Sequence, residues 1–339
     1  MCIRDSSILR TVLIDPTGVE GPFQVVLRSI EPRVELVSSW GEAMQPTNNL
    51  FGKSGPFHRL TLHLSRSGSV KCLLRISHTL TDGWSNTLIQ RDLIRAYTHG
   101  AEEHSGVSYQ DFINYTTNNR FEQHLAYWVQ KLQDSVPCWV RPSKSLSVEE
   151  SPSSVAMFNL PAISRSSFSA ARETQGLTLA TIVDAAWALT LKDVTNQDTV
   201  TFGHILSGRS HNIPGIAEIV GPTLGVLVSQ AHFDPVDPFE STSDLVTLAL
   251  KLQAARFEGL SHDGCSALQI QTELGVSPLY NTIVNFQADQ QPVQGNLEYD
   301  IKINFDVLQD PWNVSSVLSY FKGRISDNGI GRYHVESVG

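Results

Sequence analysis

The chain has 339 residues, 41% of them hydrophobic and 17% charged, which is the balance of a globular protein of one large or two ordinary domains with a sizeable core. No apolar run approaches the ~18–20 residues of a membrane span, and a formal net charge of −9 without a block of Lys or Arg argues against nucleic acid or an anionic membrane as partner. The ligand is therefore expected to be small, or carried by another protein. Cys2, Cys72, Cys138 and Cys265 form neither a CxxC pair nor a zinc spacing, so they read as free thiols of a reducing compartment, the cytoplasm.

Residues 1–6, MCIRDS, join a strand-like segment without turn or capping logic and are read as a non-native leader. The apolar runs ILRTVLI, FQVVLRSI, FHRLTLHLS and VKCLLRIS, separated by Gly, Pro and Asn clusters, predict strands of one sheet. Helical spacing follows His78, with Leu88, Leu93, Ile94 and Tyr97 as the core face, and RFEQHLAYWVQKLQ gives a second helix that closes a first lobe. Residues 141–154, rich in Ser, Pro and Glu, have no period and are read as a linker between lobes at 7–150 and 155–339.

The second lobe opens with the strand VAMFNL and two helices, SRSSFSAARETQG, which Gly176 would cap, and TLATIVDAAWALTLKDV. The strands TVTFGHIL and LGVLVSQAHF flank the glycine-rich stretch SGRSHNIPGIAEIVGP. A helix, STSDLVTLALKLQAARFEG, and the strands NTIVNFQ, LEYDIKINFDVL and VLSYFKGRI complete the order. Helices and strands mix in both halves, so the class is α/β with two sheet-containing lobes. Trp84, Trp128 and Trp187 lie in helical settings and are read as core.

Within SHTLTDGWS, a strand ends at His78 and the chain turns at Asp82-Gly83 into a helix, so the imidazole projects from a sheet end. A histidine so placed is more often a hydrogen-bonded turn residue than a base, and His-x-x-x-Asp-Gly alone is a moderate signal. His204 and His211 flank the glycine-rich stretch without a carboxylate or thiol at ligand spacing, so no metal site is expected. No GxSxG elbow is present, which weakens a serine hydrolase.

SHTLTDGWS resembles the HHxxxDGxS signature of the condensation domains of nonribosomal peptide synthetases, a branch of the chloramphenicol-acetyltransferase-like superfamily. Other stretches agree in order. SILRT resembles the end of RHExLRT, YQDFINY resembles YxDFAxW, and TFGHILSGRSHNIPGIAEIVGPTLGVLV resembles FGxxxSGRxxxxxGxExxVGPFxNTxPV. The first His of the family's pair is Ser77 here, a form similar to fungal terminal condensation domains, which release a peptide by cyclisation, although some internal domains depart there too. The family's Asn falls at Gly225 and its Arg at Gln230. The segment before LRT and the closing helix of the family have no counterpart, so the chain is read as a domain incomplete at both ends.

The resemblance implies two chloramphenicol-acetyltransferase-like lobes with mixed sheets and a tunnel between them. It implies amide or ester formation between a carrier-bound acyl or peptidyl thioester and a nucleophile. No cofactor is held directly, phosphopantetheine arrives on the carrier protein, and the partners are that carrier and adjacent synthetase domains. His78 is the expected base or positioning group, and Gly83 the place of close approach. Asp82 is expected to hold the turn by pairing with an arginine, with Arg10 of the matching Leu-Arg-Thr as that partner and Ser77 in support. Gly221, Pro222 and Gly225 are expected on the tunnel wall. Two other readings stay open: a stand-alone acyltransferase using acyl-CoA, whose usual DFGWG is not matched by INFDVLQDPW, and a degenerate domain that only docks other proteins.

Overall fold

The computed structural model describes residues 6–14, 23–45, 55–100, 107–118, 121–140, 154–159, 172–233, 242–276, 278–288, 301–307 and 314–320. After a 3-10 turn at Ile8–Arg10, β1 (Thr11–Ile14) pairs antiparallel with β2 (Phe23–Val26). A separate three-stranded sheet holds β3 (Arg33–Val37), β4 (His58–Leu64) and β5 (Val70–Ile76), with β3 parallel and β5 antiparallel to β4. The four apolar runs thus divide between two sheets, and β3, five residues long and directly after Pro32, was not anticipated. A one-turn helix, α1 (Trp40–Ala43), lies between β3 and β4; α2 (Gly83–His99), α3 (Tyr109–Asn118) and α4 (Phe121–Leu132) follow β5.

The second half builds a six-stranded sheet ordered β6 (Ser154–Asn159), β11 (Val314–Tyr320), β10 (Ile301–Val307), β9 (Thr282–Ala288), β7 (Thr199–Leu206) and β8 (Gly225–His232). It is mixed: β9 runs parallel to β7 and β10, whereas the β7–β8, β10–β11 and β11–β6 pairs are antiparallel. Val200 to His204 of β7 are buried without alternation, as expected for a strand covered on both faces. Helix α5 (Leu179–Thr195) starts at Thr178, whose hydroxyl accepts from Thr181 N at 3.1 Å, and stops at Asn196 in the left-handed region. With α6 (Thr242–Leu260) it covers one sheet face: Ala188 and Leu191 of α5 and Ala249 and Leu252 of α6 pack on Phe202 and Val284. A capping box at Ser266 and Gln269 opens α7 (Ala267–Glu273).

The linker, 141–154, lies outside the described residues apart from Ser154, which begins β6. Of SRSSFSAARETQG only 172–176 are described, helical through 175 and ending at Gly176 with φ +65°. No helix among the described residues is long and apolar enough to cross a membrane. Cys72, Cys138 and Cys265 are free thiols.

Each half lends a segment to the other. Trp128 and Leu132 of α4, the helix expected to close the first lobe, pack with Leu227, Ala267, Ile270 and Leu279 of the second half. The segment joining β7 to β8 goes the opposite way, burying Ile213 and Ile219 among Leu80, Ile89, Tyr109 and Phe112. Helix α2 buries Leu88 and Ile89, whereas Ile94 and Tyr97 are 58% and 83% exposed and do not belong to its core face. Trp128 is core and Trp187 packs, partly buried, against the separate cluster around Phe202 and Val284, but Trp84 is 42% exposed, its indole N–H donating to Ala217 O at 2.8 Å.

Under α5 and α6 lies a buried polar group. Asp184 pairs with Arg256 at 2.9 Å, and burial pushes its carboxyl up to about 6 against the pull of that guanidinium. His204 Nδ1 lies 2.8 Å from Ser229 Oγ, and burial, with Arg256 adding to it, keeps the imidazole well below its usual range. Because the folded-state value of Asp184 lies above the unfolded one, its stabilising contribution is full below pH ~4 and is lost as pH rises through ~6. Asp184→Asn removes that titration. The variant's stability relative to the parent should fall by on the order of 1 kcal/mol per pH unit from pH ~6 to ~4. A difference in urea midpoint that stays constant over this window would show that the carboxyl does not titrate there.

Candidate active site

The site grows from the end of β5. Leu73 and Ile76 anchor the strand in the core, and Ser77, still buried, donates its backbone N–H to Phe57 O at 2.8 Å. The chain then turns. Leu80 N bonds Ser77 O at 3.0 Å, and Ser77 Oγ lies 2.8 Å from Thr79 Oγ1 while accepting from Thr79 N at 3.3 Å. Such a local side-chain bond lets serine shape a turn without a neighbouring strand.

His78, half-buried, sits on this turn with Nδ1 2.8 Å from Thr81 O. A carbonyl only accepts, so Nδ1 carries the proton and the neutral ring has its lone pair on Nε2. The bond orients the ring and selects the tautomer that a base needs.

Asp82, 1% exposed, is the N-cap of α2: Oδ1 accepts from Ser85 N at 2.7 Å, and Gly83 is the first helical residue. Gly83 takes helical backbone geometry, so a left-handed φ is not what requires glycine there. The same carboxylate reaches the second half. Thr223 N donates to Oδ2 at 3.1 Å, and the Thr223 hydroxyl lies 3.1 Å from Oδ2 and 2.7 Å from Ser207 O, donating to one at a time. Arg209 Nη2 lies 3.3 Å from both carboxylate oxygens.

Arg209 is therefore the cation on Asp82, and the expected partner, Arg10, is not. The Arg10 guanidinium donates to Leu27 O and Arg28 O at 2.5 and 3.2 Å, holding the β1–β2 pair instead. Arg209 also ties its own segment, with Nη1 donating to Ile216 O at 2.9 Å and Ile219 O at 2.5 Å. It stands in the SGR of the glycine-rich stretch, where Gly208 has φ +64° and an added Cβ would lie 1.8 Å from Thr223 O. Only glycine allows that approach.

The expected wall residues separate. Gly221 is buried in packing, since a Cβ there would meet Tyr109 Cδ2 at 2.1 Å, and Pro222 O accepts from Tyr109 Oη at 3.0 Å. Burial, with Asp82 adding to it, pushes this phenol up to about 12. Gly221 is thus a close contact between the halves. Gly225, the first residue of β8, has nothing within 4 Å of an added Cβ. The sequence reading missed Arg209, Thr223 and Tyr109, although Arg209 and Thr223 lie inside the SGR…VGPT block that carries the resemblance.

His211 reaches Asp263 at 3.4 Å and packs its ring against Phe112 and Tyr115. Among the described residues no group of three or more His, Cys, Asp or Glu is arranged to hold a metal ion.

Two interlocked α/β halves of mixed sheets, with the SHTLTDGWS turn pinned by the opposite half, are the arrangement that the motifs suggested. The condensation-domain model matches residues 2–314, and the chain belongs to that family. It is 31% identical over 363 residues to nonribosomal peptide synthetase 32 of Fusarium pseudograminearum (strain CS3096), covering 96% of this chain and 4% of that protein. The chain thus spans a small fraction of the curated relatives it matches. A solved structure described as SeMet-CT superposes with TM-score 0.73 at 20% identity, covering 94% of this chain and 75% of that one. The first condensation domain of the calcium-dependent antibiotic synthetase, in complex with substrate analogue 2a, does so with TM-score 0.66 at 17% identity, covering 94% and 80%. These likenesses establish the mixed-sheet α/β fold.

The assignment of the Asp82 cation can be tested directly. Arg209→Met, which strands a buried carboxylate, should cost about 3–5 kcal/mol, whereas Arg10→Met, at a carbonyl-binding site, should cost about 1–2 kcal/mol. Chemical denaturation of both variants measures this, and the reverse ranking would return Arg10 to the site.

Proposed function

We propose that this chain is the bond-forming part of a nonribosomal peptide synthetase, joining a carrier-bound acyl or peptidyl thioester to a nucleophile. The observation that carries the proposal is the bond from His78 Nδ1 to Thr81 O, one residue before a carboxylate that both halves hold in place. It leaves Nε2 as the basic atom of an oriented, half-buried imidazole.

In the reaction, an amine attacks the thioester carbonyl carbon and a C–N bond forms. His78 Nε2 takes the proton that the nitrogen must lose, the C–S bond breaks as the tetrahedral intermediate collapses, and the imidazolium returns a proton to the departing thiolate. A hydroxyl nucleophile follows the same course to an ester. Positioned proton transfer contributes about 10²–10⁴-fold, and holding the two reactants together contributes further. Asp82 acts on the turn and on the junction, since its oxygens are already taken up by Ser85, Thr223 and Arg209.

The donor arrives as a thioester on the phosphopantetheine arm of a carrier protein, and neighbouring synthetase domains supply and receive the chain. Ser77, where many relatives of this family have a first histidine, is 3% exposed and spends its hydroxyl on Thr79. One imidazole at His78 is then enough for the proton transfers, and the resemblance of Ser77 to terminal domains favours release of the product by attack of the peptide's own amine.

His78→Ala should lower single-turnover amide formation from a loaded carrier by about 10²-fold or more, with the circular dichroism spectrum and melting curve retained. An unchanged rate would remove His78 from the mechanism and leave the family fold in a docking role.

A further inference from the structure

Ser85 ends the Asp-Gly-x-Ser motif, and the proton-transfer scheme leaves it without a task. It is fully buried, and its hydroxyl is saturated. Ser85 Oγ donates to Gly221 O at 2.9 Å and accepts from Gly221 N at 3.0 Å and from Arg209 Nη2 at 3.1 Å. One proton and two lone pairs are all engaged. A single side-chain oxygen thus serves both backbone groups of Gly221, the service that a neighbouring strand would give through two of its own peptide groups.

We infer that Ser85 is a positioning residue for His78, acting through the segment Gly221–Thr223; this rests on the condensation reading of the site. The chain of contacts is short. Ser85 fixes Gly221, and two residues on, Thr223 N donates to Asp82 Oδ2. Ser85 N holds the other oxygen of Asp82, and Thr81, whose carbonyl orients His78, directly precedes Asp82. Ser85 therefore sets the register in which the β8 entry meets the N-terminus of α2. A slip of one residue would take Thr223 away from the carboxylate and leave the turn at 77–82 tied to the first half alone.

Gly221 shows why a hydroxyl suits this place better than another bulky partner. The Tyr109 ring already occupies the space where its Cβ would be, so the segment lies flat between ring and helix. Alanine at 85 would leave Gly221 N–H buried without an acceptor, while Gly221 O would keep only Arg209 Nη2, at 3.3 Å.

Hydrogen exchange and single-turnover kinetics on the full chain test the inference. In Ser85→Ala, well below its melting temperature, the amides of Gly221 and Thr223 should exchange at least about tenfold faster, with the interior of β7 and β8 still protected. Amide formation should fall about tenfold in the single-turnover rate, with the KM for the loaded carrier changed less than about twofold, as for loss of an interaction that organises the reacting state. Unchanged exchange at Gly221 and Thr223 would overturn the inference. So would an undiminished rate in a folded variant with a lowered melting temperature, which would make Ser85 structural only.

Should Ser85→Ala not fold, Ser85→Cys keeps a small side chain with a weaker donor and should give an intermediate loss on both measures; parent-like behaviour in both would equally overturn it. His78→Ala, run in parallel, separates the two readings. If that variant keeps its rate, the condensation mechanism fails, and the exchange data still decide whether Ser85 holds the segment.

Discussion

A buried carboxylate must be surrounded by donors, and the fold around the site is organised by that requirement at Asp82. Its desolvation would cost several kcal/mol if it were left alone. The donors come from both halves: Ser85 N from the first turn of α2, and Thr223 N and Arg209 Nη2 from the segment that leaves β7. No separated arrangement of the halves would satisfy the carboxylate. The junction is thus set by the same group that caps the helix beneath His78, and the 77–82 turn and the interface cannot be displaced independently.

The exchange of segments reinforces this. Ile213 and Ile219 lie in the first-half core, and Trp128 lies in the second, with its indole N–H donating to His262 O at 2.8 Å. Burying a large side chain in the opposite half makes separation expose apolar surface, at about 25 cal/mol per Å². Close contacts at glycine add geometric constraint: Gly208 against Thr223 O, Gly221 against the Tyr109 ring, and Gly259 with an added Cβ only 3.0 Å from Trp128. The last two contacts join the halves directly and leave no slack between them.

What could be read from the sequence followed the range of the interaction. The strand before His78, the turn at Asp82-Gly83 and the helix after it are local, and each was visible in spacing and residue type, although the capping role of Asp82 was not read. The cation on Asp82 was not, because Arg209 stands 127 positions away and pairs through tertiary structure. Arg10 looked suitable beside the first strand, but the carbonyls of Leu27 and Arg28 claim its guanidinium. On α2, Ile94 comes six residues after Leu88, about 240° round the helix, which is enough to bring it into solvent. The exchanged positions of α4 and the 207–224 segment left no trace in periodicity, since an amphipathic pattern specifies a buried face and not what buries it. Chain order alone therefore did not show that Trp128 and Leu132 of α4 pack with residues of the other half.

The ties on the crossing segment differ in kind along its length. Near Asp82 they are buried and made largely by hydroxyl and backbone groups, so neither salt nor side-chain motion readily weakens them. Towards 211–218 they are outward: Arg91 meets Glu218 at 2.7 Å with side chains 39% and 55% exposed, and the Trp84 indole reaches Ala217 O from a half-exposed position. Exposed pairs of this sort contribute about 0–1 kcal/mol and are screened by salt. Arg209 separates the two regimes, with Nη1 on Ile216 O and Ile219 O and Nη2 on Asp82. Loosening of the outer stretch by salt therefore stops at that guanidinium, and the turn under His78 keeps its geometry while the surface of the segment adjusts.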